Sequence, residues 1–241
     1  MDGLSLYRTL RQTNPAPYAA YLRIAGIEIL SASPERFLQV DASGRIESKP
    51  IKGTAGRAAD ALEDHALAEA LRCSEKNRAE NLMVVDLLRN DLGRVAEVGS
   101  VAVPKLMAVE TYATVHQLVS TVTAQLRADA SLIDLIRATF PGGSITGAPK
   151  IRTMQFIDAL ERRARGVYCG SIGMLGYNRV ADLSIAIRTM VLQGGRITLG
   201  AGGAITALSN PEDEYDEVLL KAQALVRALS LYVCGSADAK Y

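Results

Sequence analysis

Between Gly166 and Ile205 the chain leaves little choice of structure. Three apolar runs, Gly166 to Tyr177, Leu183 to Gln193 and Arg196 to Ile205, follow one another with Asn178 and Gly194-Gly195 at the junctions. The middle run alternates apolar and polar residues, and junctions this tight join antiparallel strands. An antiparallel sheet is predicted there. Residues 18–52 repeat the pattern, with Gly26 and Asp41-Ala42-Ser43-Gly44 as turn residues between short strands.

The rest reads as helix around these strands. Helix formers with apolar residues at helical spacing run from Asp60 to Asn90, as one long helix or two, and Asp91-Leu92-Gly93 supplies a stop. A β segment is expected over Val95 to Val103, then a mixed stretch to Gln125 and a helix over Leu132 to Thr139. A further helix, Ile151 to Ala164, follows Pro141 to Lys150. The last helix opens with Asn210 as N-cap and Pro211 at the first helical position and runs to about Leu229. No internal repeat or low-complexity linker interrupts the chain, so a single α+β domain over residues 1–233 is expected, with 234–241 as a disordered tail.

Composition narrows the function classes. Hydrophobic residues make up 49% of the 241, enough for a proper core, and Lys+Arg 27 against Asp+Glu 26 gives no basic tract suited to nucleic acid. Cys73, Cys169 and Cys234 are too scattered for a disulfide framework or a zinc site. No stretch approaches the length of a membrane span or an export signal, so a reducing cytoplasm is expected.

Several charged residues fall on faces that should be buried. Glu214, Glu217 and Lys221 overlap the stripe of Val218, Ala222, Leu225 and Leu229 on the final helix, although an acidic first turn also suits the helix dipole in plain solvent. Glu80 shares a face with Val84 and Leu87. Inward carboxylates from two helices would suit Mg2+, which takes one or two protein carboxylates and leaves its other positions to water and substrate oxygens. Arg188, opposite the Leu183, Ile185 and Ile187 face, suits either a substrate carboxylate or an interstrand salt bridge. Pro141 to Lys150 has Ala148 where a P-loop needs lysine, and Gly200-Ala201-Gly202 has Ile205 where a dinucleotide fingerprint needs glycine. Both nucleotide readings fail, leaving backbone amides that can approach a small anion, or ordinary turns.

Five motifs in order, Ser33-Pro34-Glu35-Arg36-Phe37, Pro50-Ile51-Lys52-Gly53-Thr54, Arg78 to Leu87, Pro141 to Lys150 and Pro211 to Lys221, resemble those of the chorismate-utilising enzymes over nearly the whole chain. The resemblance implies two packed antiparallel β-sheets with helices outside, in a chain lacking the N-terminal part that family members carry. It implies Mg2+ held by Glu80 and Glu217, with Glu214 as ligand or neighbour, gripping the ring carboxylate of chorismate. By motif, Tyr168, Arg188, Gly202 and Lys221 match substrate-carboxylate positions, and Gly53, Thr54, Ser144 and His116 the pocket lining. Glu35 matches the acid that protonates the departing C4 hydroxyl, and Lys52 the nucleophile that attacks C2.

Pro-Ile-Lys-Gly-Thr is similar to the branch of the family that aminates C4; the anthranilate-forming branch typically has alanine at the lysine, and ammonia there attacks C2. The expected activity is therefore amination of chorismate to 4-amino-4-deoxychorismate, toward para-aminobenzoate and folate. The alternatives are anthranilate formation or an inactive chorismate-binding fragment. None of the cysteines has the context of a glutaminase nucleophile, so a glutamine amidotransferase partner is implied as the ammonia source.

Overall fold

A computed structural model describes residues 1–112 and 115–235. The described chain begins with α1 (Gly3–Thr13), whose first amides at Leu4 and Ser5 bond to the Asp2 carboxylate. The hairpin β1 (Tyr18–Ile24) and β2 (Ile27–Ser33) turns through Ala25 and Gly26, both at positive φ, as a two-residue hairpin turn requires. β3 (Arg36–Val40) and β4 (Arg45–Lys49) are joined by a turn in which Asp41 Oδ1 accepts from the amides of Ser43 and Arg45. β5 (Ile51–Gly56) follows directly.

The long helical stretch is two helices, α2 (Ala61–Cys73) and α3 (Glu75–Gly93). Ser74 makes the break: its extended backbone ends α2 while its hydroxyl accepts from the Asn77 amide to start α3. β6 (Ala102–Thr111), β7 (Val115–Gln125), α4 (Leu132–Thr139) behind a Ser131/Asp134 capping box, a 3-10 turn (Gly143–Ile145) and α5 (Lys150–Glu161) come next. Then follow β8 (Ser171–Leu175), β9 (Ala181–Ile185), β10 (Thr189–Gln193), β11 (Arg196–Leu199) and α6 (Pro211–Cys234), capped by Asn210 as expected.

These residues form two compact units. The first comprises Met1–Glu35, Arg165–Ile172 and the described residues from Ser184 on. Its four-stranded sheet has the order β1-β2-β10-β11, with antiparallel pairs throughout. The fully buried Leu6 and Leu10 of α1 and Leu225 and Ala228 of α6 meet Leu30, Met190 and Leu192 of the sheet in one core.

The second unit comprises Arg36–Ala164 and Gly173–Leu183. The larger sheet has seven strands, β5-β7-β4-β3-β9-β8 with β6 on β7. Along one edge of β7, β5 pairs with the first half and β4 with the second, while β6 follows the other edge. Val84, Leu88 and Leu92 of α3 are buried in this unit, as are Leu118 and Val122 of β7. The architecture is two antiparallel sheets plus helices, the α+β class expected.

Local departures have identifiable causes. The run from Leu183 to Gln193 is not one strand: Ile187 N–H bonds back to the Ile185 carbonyl and Arg188 sits at φ +50°, so β9 ends and β10 begins in the other sheet. Alternation cannot reveal a positive φ. The Val95 to Val103 segment makes only a single bridge, Ala96 to Leu126, before β6 starts. The third run stops at Leu199, and α6 extends past Leu229 to Cys234, which is therefore helical rather than tail. The rest of the expected tail, 236–241, lies outside the described residues. No helix among the described residues is long and apolar enough to cross a membrane.

Candidate functional site

In the second unit the chemistry gathers on β5. Lys52 Nζ donates to the Ser144 carbonyl at 3.3 Å and lies 3.9 Å from Glu80 Oε2, with its side chain only 14% exposed. Glu80, buried on α3 as its helical face predicts, also has Lys76 Nζ 3.9 Å from Oε1. Gly53 follows Lys52 at φ +86°, and a Cβ there would stand 2.7 Å from Asn77 Cγ and 2.9 Å from Leu71 Cδ1. Only glycine fits both the backbone and the space. Thr54 pairs across β7 with Gln117. Ser144 sits in the 3-10 turn, whose Gly143 would bring a Cβ within 3.2 Å of Leu87 Cβ.

His116 is buried beside this strand, its backbone in register with Ala55. Nδ1 meets Thr111 Oγ1 at 2.9 Å and Nε2 meets Asp64 Oδ1 at 3.0 Å. Asp64 in turn takes two hydrogen bonds from Arg57, Nε and Nη2 both at 2.8 Å, and one from the Ala58 amide. Arg57 above all, then the Ala58 amide and His116, hold the Asp64 carboxyl well below the usual carboxylate range. With Asp64 ionised, Nε2 donates to it, while Nδ1 is hydrogen-bonded to the Thr111 hydroxyl. Both ring nitrogens are thus engaged within the protein. Arg57 and Asp64 were not candidates from sequence, and no local pattern points to a partner 52 residues away.

In the first unit, Glu35 is buried where its backbone carbonyl accepts from the Ile185 amide. Tyr168 lies across the glycine segment: a Cβ on Gly200 would fall 2.3 Å from the ring, and one on Gly202 3.0 Å from the hydroxyl. Lys221 Nζ donates to the Gly202 carbonyl at 3.1 Å and pairs with Glu217 Oε1 at 2.6 Å. Glu214 is buried, as its face predicts, and accepts from Ser209 Oγ at 2.6 Å. Glu217, three residues on, keeps its side chain 41% exposed. Arg188 makes no side-chain hydrogen bond or ion pair among the described residues. Burial pushes its guanidinium pKa below the ordinary value, against the opposing influence of Tyr168 and Glu217.

Glu80, Glu214 and Glu217 offer the hard oxygen donors that Mg2+ takes. Two lie one helical turn apart on α6 and the third is on α3. Within the described residues, no group of three or more His, Cys, Asp or Glu stands together as a metal cluster.

A family model described as chorismate binding enzyme matches residues 2–227. The chain is 60% identical to aminodeoxychorismate synthase of Streptomyces griseus, over 92% of this chain and 31% of that protein. It is 50% identical to aminodeoxychorismate synthase component 1 of Escherichia coli K12, over 95% of this chain and 50% of that one. A crystal structure of anthranilate synthase component I from Streptococcus pneumoniae TIGR4 matches with a TM-score of 0.84 and 41% identity, over 94% of this chain and 50% of that chain. The chain spans about a third to a half of the length of these relatives.

Proposed function

The chain belongs to the chorismate binding enzyme family, and from that premise we propose that it aminates chorismate at C4, giving 4-amino-4-deoxychorismate for para-aminobenzoate and folate synthesis in the cytoplasm. The observation that carries this reading is Lys52: a lysine in Pro-Ile-Lys-Gly-Thr, mostly buried, with its amine on the Ser144 carbonyl beside Glu80. An amine held in place at a reacting carbon gains the advantage of an intramolecular nucleophile. In the first step the neutral Lys52 amine bonds to C2, the two conjugated ring double bonds both shift toward C4, and the C4 hydroxyl departs as water on a proton from Glu35. In the second, ammonia bonds to C4, both double bonds shift back, and the Lys52 amine leaves C2 with its electron pair.

Arg188, Lys221 and Tyr168 would bind the substrate carboxylates, with Gly202 allowing close backbone approach and Gly53, Thr54, Ser144 and His116 shaping the pocket. Glu80 and Glu217 would hold Mg2+, with Glu214 as a ligand or fixing a ligand. When bound, the metal supplies positive charge for the ring carboxylate. A glutamine amidotransferase would supply the ammonia, consistent with the component 1 naming of the Escherichia coli relative.

A second reading, anthranilate formation, is favoured by the Streptococcus pneumoniae structure at 41% identity. Lys52 argues against it. The test is the chain itself with chorismate, Mg2+ and excess ammonium, with products identified by mass spectrometry. C4-aminated product in the parent, falling on the order of 10³-fold in Lys52→Ala, is expected. Anthranilate from the parent, or an unaffected rate in the variant, overturns the reading.

A further inference from the structure

We infer that the buried Asp91–Lys150 ion pair is a positioning device for Lys52, acting through the loop 141–149. The inference rests on the role given to Lys52 above. Lys150 Nζ, with its side chain 16% exposed, donates to Asp91 Oδ2 at 2.5 Å and to the Thr139 carbonyl at 3.1 Å. One ammonium therefore ties the start of α5 to the end of α4 and to the last turn of α3. Replacing such a buried pair by apolar residues is often neutral or stabilising, so stability alone does not explain it.

What the pair fixes is register. The loop closes on itself, with Thr146 Oγ1 on the Gly142 carbonyl at 2.9 Å and the Ile145 amide on the same carbonyl. The carbonyl of Ser144 can then move only with the loop as a body. That body rests on α3 at two points: Gly143 against Val84 and Leu87, and Lys150 on Asp91. Glu80, Val84, Leu87 and Asp91 follow at i, i+4, i+7 and i+11, which places them along one face of the helix over about 16 Å. Both partners of the Lys52 amine, the Ser144 carbonyl and Glu80, are thus referenced to a single rod. Val84 and Leu87 offer only a slippery apolar contact; the directional bond to Asp91 stops the loop from sliding along it.

The test compares the parent with Asp91→Asn and with Asp91→Asn combined with Lys150→Met. The double variant leaves no buried charge unpaired, so it carries the test where the single one does not fold. The first readout is reductive methylation of Lys52 relative to the exposed Lys105 of the same unit, resolved by peptide mass spectrometry. General loosening accelerates both lysines and leaves their ratio alone, whereas release of Lys52 raises it. Loss of one hydrogen bond between charged groups corresponds to about tenfold, and a rise of that order is expected, together with slower C4 amination at little-changed KM. An unchanged labelling ratio in the double variant overturns the inference whatever the products are. A raised ratio in a protein whose parent makes no C4-aminated product upholds the positioning and removes the nucleophilic role of Lys52 instead.

Discussion

Two cations of restricted exposure, one in each unit, are treated in opposite ways. Lys150 in the second unit spends its ammonium on Asp91 and on the Thr139 carbonyl. Arg188 in the first has no hydrogen-bonded or ion-paired side-chain partner among the described residues, and burial has already made its charge less favourable. A cation whose partners come from the chain holds backbone in place. One left without them, carried on a left-handed backbone at φ +50° between two strands, is the cation that the proposed function assigns to a substrate carboxylate.

Removing Arg188 is the largest test of that contrast. Arg188→Met should weaken chorismate binding by about 10- to 100-fold, the worth of a charge-assisted hydrogen bond of roughly 1.5–3 kcal/mol. Its thermal midpoint should hold or rise, because a desolvated charge has gone. Calorimetric titration and a melting curve check both. A variant that melts early yet binds normally would show that Arg188, like Lys150, serves the fold, and the contrast would collapse.

The glycine segment sharpens the same comparison. Tyr168 fills the space over Gly200, and a Cβ 2.3 Å from an aromatic ring cannot be accommodated by turning a flexible side chain. Gly200→Ala should lower unfolding free energy by about 1–3 kcal/mol in urea. At Gly56 on β5 nothing lies within 4 Å of a new Cβ, so Gly56→Ala should stay within about 0.5 kcal/mol. Equal effects at the two positions would mean that Tyr168 does not rest on the segment.

How far these features were legible in the sequence depends on how local their causes are. Asn210-Pro211 and the turn at Asp41 act within four residues, and each is read from the sequence, whereas the equally local Ser131/Asp134 capping box is not. Periodicity also placed Glu80 and Glu214 on buried faces. It could not find the break at Arg188, which depends on a backbone angle, nor the pairing of β6 with β7, where Met107 bulges at φ +52°. The cap at Asp2 was available and α1 went unread. Lys52 itself carries no sign of its role except its motif. Asp91 looked like a helix stop because its partner is 59 residues further on, and only tertiary structure joins them.

The smallest expected effect concerns the Arg57–Asp64–His116 chain, which extends the second unit's habit of pairing its charges internally. Arg57 holds the Asp64 carboxyl below its ordinary value. A carboxylate depressed on folding contributes stability that is fully present above the unfolded value, about 3.9, and is lost as pH falls toward the folded one. Asp64→Asn forfeits that contribution at neutral pH, so its melting point should start slightly lower and then fall less steeply than the parent's below about pH 4. Melting curves from pH 6 downward measure the two slopes. Parallel acid limbs would mean that the chain of hydrogen bonds from Arg57 to His116 is not maintained in solution, leaving Nε2 of His116 without its Asp64 partner.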